Sequence, residues 1–122
     1  MYDLYRLSNT ERKKEVGMME KLVKDGKVAV IISPGYGAGW STWNNVEYGA
    51  ELVFDPMIVD MILNNKKDEF GTYIAMRYPD LYNTGFDELA VQWLPVGTVF
   101  RIYEYDGNET IEIQDEIGWL MA

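Results

Sequence analysis

The chain reads as an α+β fold: a small mixed or antiparallel sheet with helices on one face and a C-terminal three-stranded meander. Three observations predict it. Residues 28–32 (VAVII) are a continuous apolar run of strand length, the pattern of a strand covered on both faces. The middle of the chain carries apolar residues at helical spacing behind the cap-and-proline pair Asp55-Pro56. The last third alternates with period two and contains the hairpin dipeptide Asp106-Gly107.

Taken in order, Ser8-Asn9-Thr10-Glu11 has the form of a capping box, with Ser8 as cap and Glu11 reaching back. The helix it opens is expected to run to about Lys24, where Asp25-Gly26 stops it. Val16, Met19, Leu22 and Val23 mark its apolar face. Residues 27–33 form the buried central strand. Glu51-Leu52-Val53-Phe54 is a short strand or an extended lead-in. Asp55 then caps a helix over 56–64 whose first position is Pro56, where the missing N–H costs nothing. Asn64-Asn65 ends it. A further helix over 67–77 places Phe70, Tyr73, Ile74 and Arg77 at helical spacing before Pro79 stops it. Leu89, Val91 and Trp93 alternate as strand, Pro95-Val96-Gly97 turns the chain, and residues 99–105 and 110–113 complete the meander. The 122 residues make a single domain, with 1–26 as an N-terminal helical extension and 27–122 as the α+β core.

Composition narrows function. Apolar residues make up 48% of the chain, enough for a core, yet no run of eighteen of them exists to cross a membrane. The start lacks the basic and apolar regions of a signal peptide, so a cytoplasmic protein is expected, and the sequon Asn108-Glu109-Thr110 is read as chance. Cysteine and histidine are both absent. That removes disulfides, thiolate chemistry, zinc sites and the usual neutral-pH acid or base. The chain is therefore read as non-enzymatic, without cofactor or metal, with a carboxylate Mg²⁺ or Ca²⁺ site and Asp/Glu catalysis as the alternatives left open. Asp106-x-Asn108-x-Thr110-x-Glu112 starts like a calcium loop, but Ile111 and Ile117 occupy the places that need glycine and an acid. The formal charge of −9 disfavours duplex nucleic acid. The surplus acids either keep the surface solvated or imitate nucleic acid toward a basic protein.

The stretch from Ser33 to Asn45 concentrates glycines, aromatics, hydroxyls and amides. Gly35-x-Gly37-x-Gly39 is neither a dinucleotide fingerprint nor a Walker A loop, since the third glycine comes too early and no Gly-Lys-Ser/Thr follows. Loops of this length without secondary structure are usually functional. Backbone N–H groups at Gly35, Gly37 and Gly39, with Ser41, Thr42 and Asn44, have the donors for a phosphate or ribose. Tyr36 and Trp40 offer stacking faces. Arg77 and Arg101 are candidate cations, for this anion or for a carboxylate partner.

The string Ile32-Ser33-Pro34-Gly35-Tyr36-Gly37-Ala38-Gly39-Trp40-Ser41-Thr42-Trp43-Asn44 resembles a signature of small bacteriophage proteins. In them a Phe-Asp-Pro helix start follows, here Phe54-Asp55-Pro56, and a Gly-Thr-x-Phe-x-Ile-x-Glu-Tyr-Asp-Gly segment, here residues 97–107. The resemblance covers roughly residues 27–108. The signature carries no activity of its own. A phage context implies counter-defence, because proteins that sequester nucleotide immune signals and inhibitors of CRISPR nucleases share this size and lack catalytic residues. Two functions are expected on this basis, with a small virion or assembly component as a third class left open. One is sequestration of a small anionic nucleotide through the loop and an arginine. The other is inhibition of a host defence protein through an acidic surface with 14% aromatic residues. The apolar end, residues 117–122, points to a homo-oligomer in which the tail packs on a neighbouring copy.

Overall fold

The computed structural model describes residues 21–44, 46–82 and 85–114. Its first element is a hairpin. β1 (Val23–Lys24) and β2 (Lys27–Ile32) pair antiparallel with Val23 opposite Val28 and Lys24 opposite Lys27. Asp25 and Gly26 between them both have positive φ, 54° and 75°, which is the type I′ turn that matches strand twist. The expected helix lies outside the described residues up to position 20, and its C-terminal end is corrected here. Leu22 packs on the core while Val23 is exposed, a period of two that the helical spacing of Leu22 and Val23 with Val16 and Met19 conceals.

β2 is the centre of a three-stranded antiparallel sheet of order β1-β2-β3, where β3 is Ala90–Pro95. Its register with β3 runs unbroken from Lys27 opposite Pro95 to Ile32 opposite Ala90. Ala29 and Ile31 face one core; Val30 and Ile32 face another. A strand sealed on both faces needs apolar residues at every position, and that is why VAVII shows no alternation.

Three helices are present among the described residues: α1 (Val46–Phe54), α2 (Pro56–Leu63) and α3 (Lys67–Arg77). α1 overturns the extended reading of residues 51–54. Tyr48 and Leu52, four apart, reach the same core, and the Leu52 carbonyl in the last turn accepts the Trp40 indole N–H at 2.8 Å. Tertiary contacts thus hold the helix through a β-branched, aromatic end. α2 starts as its sequence predicts. Asp55 accepts the N–H of Met57 at 2.9 Å and of Ile58 at 3.3 Å, with Pro56 at the first turn. α3 carries Asp68 and Glu69 in its first turn and Arg77 in its last, each sign suited to the helix dipole.

The α+β class is as the sequence predicts, and helices cover one face of the sheet. All three C-terminal strands form, but the chain changes sheet after the first. β3 ends at Pro95, Thr98 donates its N–H to the Pro95 carbonyl at 3.1 Å, and Gly97 sits at φ 87°. Among the described strands β4 (Phe100–Tyr105) then pairs only with β5 (Asn108–Ile113). Phe100, Ile102, Ile111 and Ile113 from this hairpin cover Val30, Ile32 and Leu94. Two apolar faces on one sheet demand two covers: helices supply one and the hairpin the other. The expected apolar tail at 117–122 lies outside the described residues.

Candidate functional site

The loop after β2 is bound to the β4–β5 hairpin by one carboxylate. Glu109 is fully buried. Its Oε1 accepts the Ser33 N–H at 2.9 Å, and its Oε2 accepts the Trp40 N–H at 2.7 Å and the Thr42 N–H at 3.2 Å. The Thr42 hydroxyl also donates to Oε2. In return the Glu109 N–H donates to the Ser33 carbonyl at 2.8 Å. No cation faces Glu109 in this set. Donor hydrogen bonds alone take the place of its hydration, the way an anion sits in a backbone nest.

Two glycines make the approach possible. Gly37 donates its N–H to the Asp106 carbonyl at 3.1 Å, and any Cβ on Gly107 would overlap the Gly37 carbonyl group. A Cβ on Gly39 would come within 2.6 Å of both the Thr42 hydroxyl and the Trp43 ring. These are close approaches that only glycine allows.

The residues expected to bind a ligand therefore divide. Trp40 is buried, 6.3 Å from the Phe70 ring, and does not present a stacking face. Thr42 serves Glu109. Ser41 opens a single 3-10 turn, Ser41–Trp43, and its carbonyl accepts the Asn44 N–H at 3.3 Å. The Asn44 amide donates to the carbonyls of Trp40 at 2.7 Å and Tyr82 at 3.0 Å, and accepts the Tyr82 N–H. Gly35 lies beside Glu88. Arg77 pairs with the buried Glu51 at 2.7 Å, and Arg101 pairs with Glu112 at 2.7 Å across the hairpin. Tyr36 alone of the aromatic candidates is open to solvent, at 71%.

A second buried polar cluster joins the helices. Asp55 Oδ2 accepts the hydroxyls of Tyr73 at 2.7 Å and Tyr78 at 2.6 Å. Burial first, and the Asp55 carboxylate after it, push both phenols above their ordinary range. Both hydroxyls and both Asp55 oxygens are satisfied within the protein, which makes this a structural cluster. Among the described residues no three acidic side chains are grouped to hold a metal ion, and no helix is long and apolar enough to cross a membrane.

The role of Glu109 and, beyond its helix cap, the pairing of Asp55 with Tyr73 and Tyr78 are not legible in the sequence. For Glu109 the signal is phase: positions 109, 111 and 113 alternate on one face, so this carboxylate points the same way as two isoleucines. A charge in register with a core face needs donors, and the glycine loop is where they are.

Two surfaces remain. At the hairpin, Tyr103 and Tyr105 project from the solvent face of β4, both exposed, and the Gly37–Asp106 bond brings the backbone beside Tyr36 to the same end. Asp106 lies at the turn. At the opposite side of the sheet, a groove of about 640 Å³ is lined by Lys24, Asp25, Lys27, Leu63, Asn64 and Trp93. No protein-family model, curated protein or solved structure matches the chain.

Proposed function

We propose that this chain is a non-enzymatic binding protein that docks a basic protein partner on the tyrosine-bearing end of the β4–β5 hairpin. One observation carries it. The loop's Ser33, Trp40 and Thr42 N–H groups are spent on Glu109, while Tyr36, Tyr103 and Tyr105 stay exposed beside the turn. Exposed tyrosines supply large, rigid contact area, and a formal charge of −9 favours a partner of opposite sign. The resemblance to bacteriophage proteins makes a host defence protein in the host cytoplasm the fitting partner. The test is capture from host lysate by the native chain and by a Tyr36→Ala/Tyr103→Ala/Tyr105→Ala variant with an unchanged melting temperature. A stoichiometric basic protein held by the native chain, weakened at least about tenfold in the variant and falling steeply with salt, is the expected result. Equal capture by both chains would refute the assignment.

A second reading has its own observation. The groove at the β1–β2 hairpin sets Lys24 and Lys27 side by side across the strands, next to the partly buried Trp93 and the exposed Asn64. Its volume of about 640 Å³ suits a nucleotide. We propose this groove, rather than the glycine loop, for sequestration of a small anionic nucleotide. Calorimetry against cyclic and linear nucleotides decides it: binding abolished by Lys24→Ala/Lys27→Ala supports the groove, and no heat from any nucleotide rejects it.

A further inference from the structure

Among the described residues nothing guards the outer edge of β4, and we propose that the partner docks there by adding a strand, as an extended segment with basic residues at alternate positions. This rests on the docking face assigned above and specifies how it is used.

Hairpin geometry decides which backbone groups point outward. Tyr105 and Asn108 flank a two-residue turn whose Asp106 and Gly107 have φ of 51° and 85°, so they form a hydrogen-bonded pair. Alternation then makes Tyr103 with Thr110 and Arg101 with Glu112 hydrogen-bonded pairs too. Two bonds confirm the phase: Gln114 donates its N–H to the Val99 carbonyl, continuing the ladder, and Glu109 donates outward to Ser33. On β4 the outward groups are thus those of Phe100, Ile102 and Glu104, and no described residue bonds to them.

The other sheet edges are each protected. β1 is two residues long. β3 has Pro95 at an outward position of its free edge, where it offers no N–H. On β5, Ser33 occupies the outer edge at Glu109. β4 has six paired residues, an unbroken register, no proline and no lysine. Its Arg101, a charge that would otherwise guard the edge, is drawn across to Glu112 on β5. Proteins blunt exposed edges to avoid unwanted pairing. The edge left intact here lies next to Tyr103 and Tyr105.

The chemistry of the occupant follows. An added strand satisfies the outward N–H and C=O groups of Phe100, Ile102 and Glu104 with its own backbone. Its solvent-side residues fall beside Tyr103 and Tyr105, where arginine or lysine stacks on the phenol faces. Its inward residues continue the apolar face of Phe100 and Ile102 and, at the turn end, meet Glu104, whose carboxylate accepts the Gly107 N–H at 2.8 Å. Basic outside and apolar inside is the pattern required.

Amide hydrogen exchange on the full chain tests this, with a decapeptide of alternating arginine and valine as probe. A second decapeptide, with proline in place of valine, cannot pair along its length. In the free protein the amides of Phe100, Ile102 and Glu104 are expected to exchange fast and those of Arg101, Tyr103 and Tyr105 to be protected. The Arg-Val peptide is expected to slow the three outward amides at least about tenfold, and the Arg-Pro peptide to leave them unchanged. Strand addition is overturned if the Arg-Val peptide leaves those amides fast. It is also overturned if they are already protected without peptide, and concentration-dependent protection would assign the edge to a second copy instead. If the peptide shifts the Tyr103 and Tyr105 ring signals without slowing the amides, the docking face stands and only its mode is wrong. If it shifts neither, both assignments fail.

Discussion

Glu109 does at the scale of one residue what an external anion would do for a glycine-rich nest. Its four donors come from residues 67 to 76 positions away in sequence, so no local pattern announces them. Replacing it with glutamine turns an amide NH₂ toward groups that are themselves donors. Glu109→Gln is expected to lower stability by about 2–3 kcal/mol, and Glu109→Ala by at least as much, because buried N–H groups are left unpaired. Urea unfolding measures the cost, and faster exchange of the Ser33, Trp40 and Thr42 amides places it in the loop. Two glycines with similar backbones separate strain from contact. Gly26 and Gly107 have φ of 75° and 85°, but only Gly107 meets another backbone where a Cβ would stand. Gly26→Ala should cost about 1 kcal/mol for the left-handed conformation alone, and Gly107→Ala clearly more. Equal costs would mean that the loop does not press on the turn.

At the scale of elements, helices α2 and α3 meet through Asp55, which caps the first and accepts the hydroxyls of Tyr73 and Tyr78 from the end of the second. The cap was legible in Asp55-Pro56; the phenols were not, since they lie 18 and 23 residues away. The consequence is a defined alkaline limit. Both phenols are raised above the ordinary value of 10. The unfolded chain therefore releases these protons first, and the stability they provide is complete below about pH 10 and declines as pH rises through the folded values. Tyr78, which is fully buried, contributes a loss of about 1.4 kcal/mol for each pH unit in that range. Absorbance of ionised tyrosine should show two phenols that resist titration until the chain unfolds, and Tyr78→Phe should remove one of them. The same scale explains what the sequence concealed. Asp-Gly was recognised as a turn at 106–107, where alternation surrounds it. At 25–26 the same dipeptide sits after a helical spacing and reads as a stop, although it forms the same turn. Residues 51–54 look extended in isolation and are helical because Trp40 and the core hold them.

Across the whole molecule the pairing of β2 with β3 joins residues about sixty positions apart. Such non-local order predicts folding on the millisecond-to-second scale rather than in microseconds, which stopped-flow refolding measures. An excess of acids also predicts that added salt raises the melting temperature, by screening self-repulsion. The three layers themselves were legible in part: an apolar run without alternation implied two covers for one strand. That the last hairpin supplies the second cover was not, because its inward face of Phe100, Ile102, Ile111 and Ile113 fits any apolar surface. One feature of this arrangement makes the molecule its own optical gauge. Trp40 is held at both nitrogens, its main-chain N–H by Glu109 and its indole N–H by Leu52. Its ring environment and the attachment of the loop are consequently one and the same coordinate. In a chain with Trp43, Trp93 and Trp119 replaced by phenylalanine, any partner or substitution that pries the loop from the hairpin should red-shift the Trp40 emission before the helices melt, so a fluorometer reads the position of the loop with no label attached.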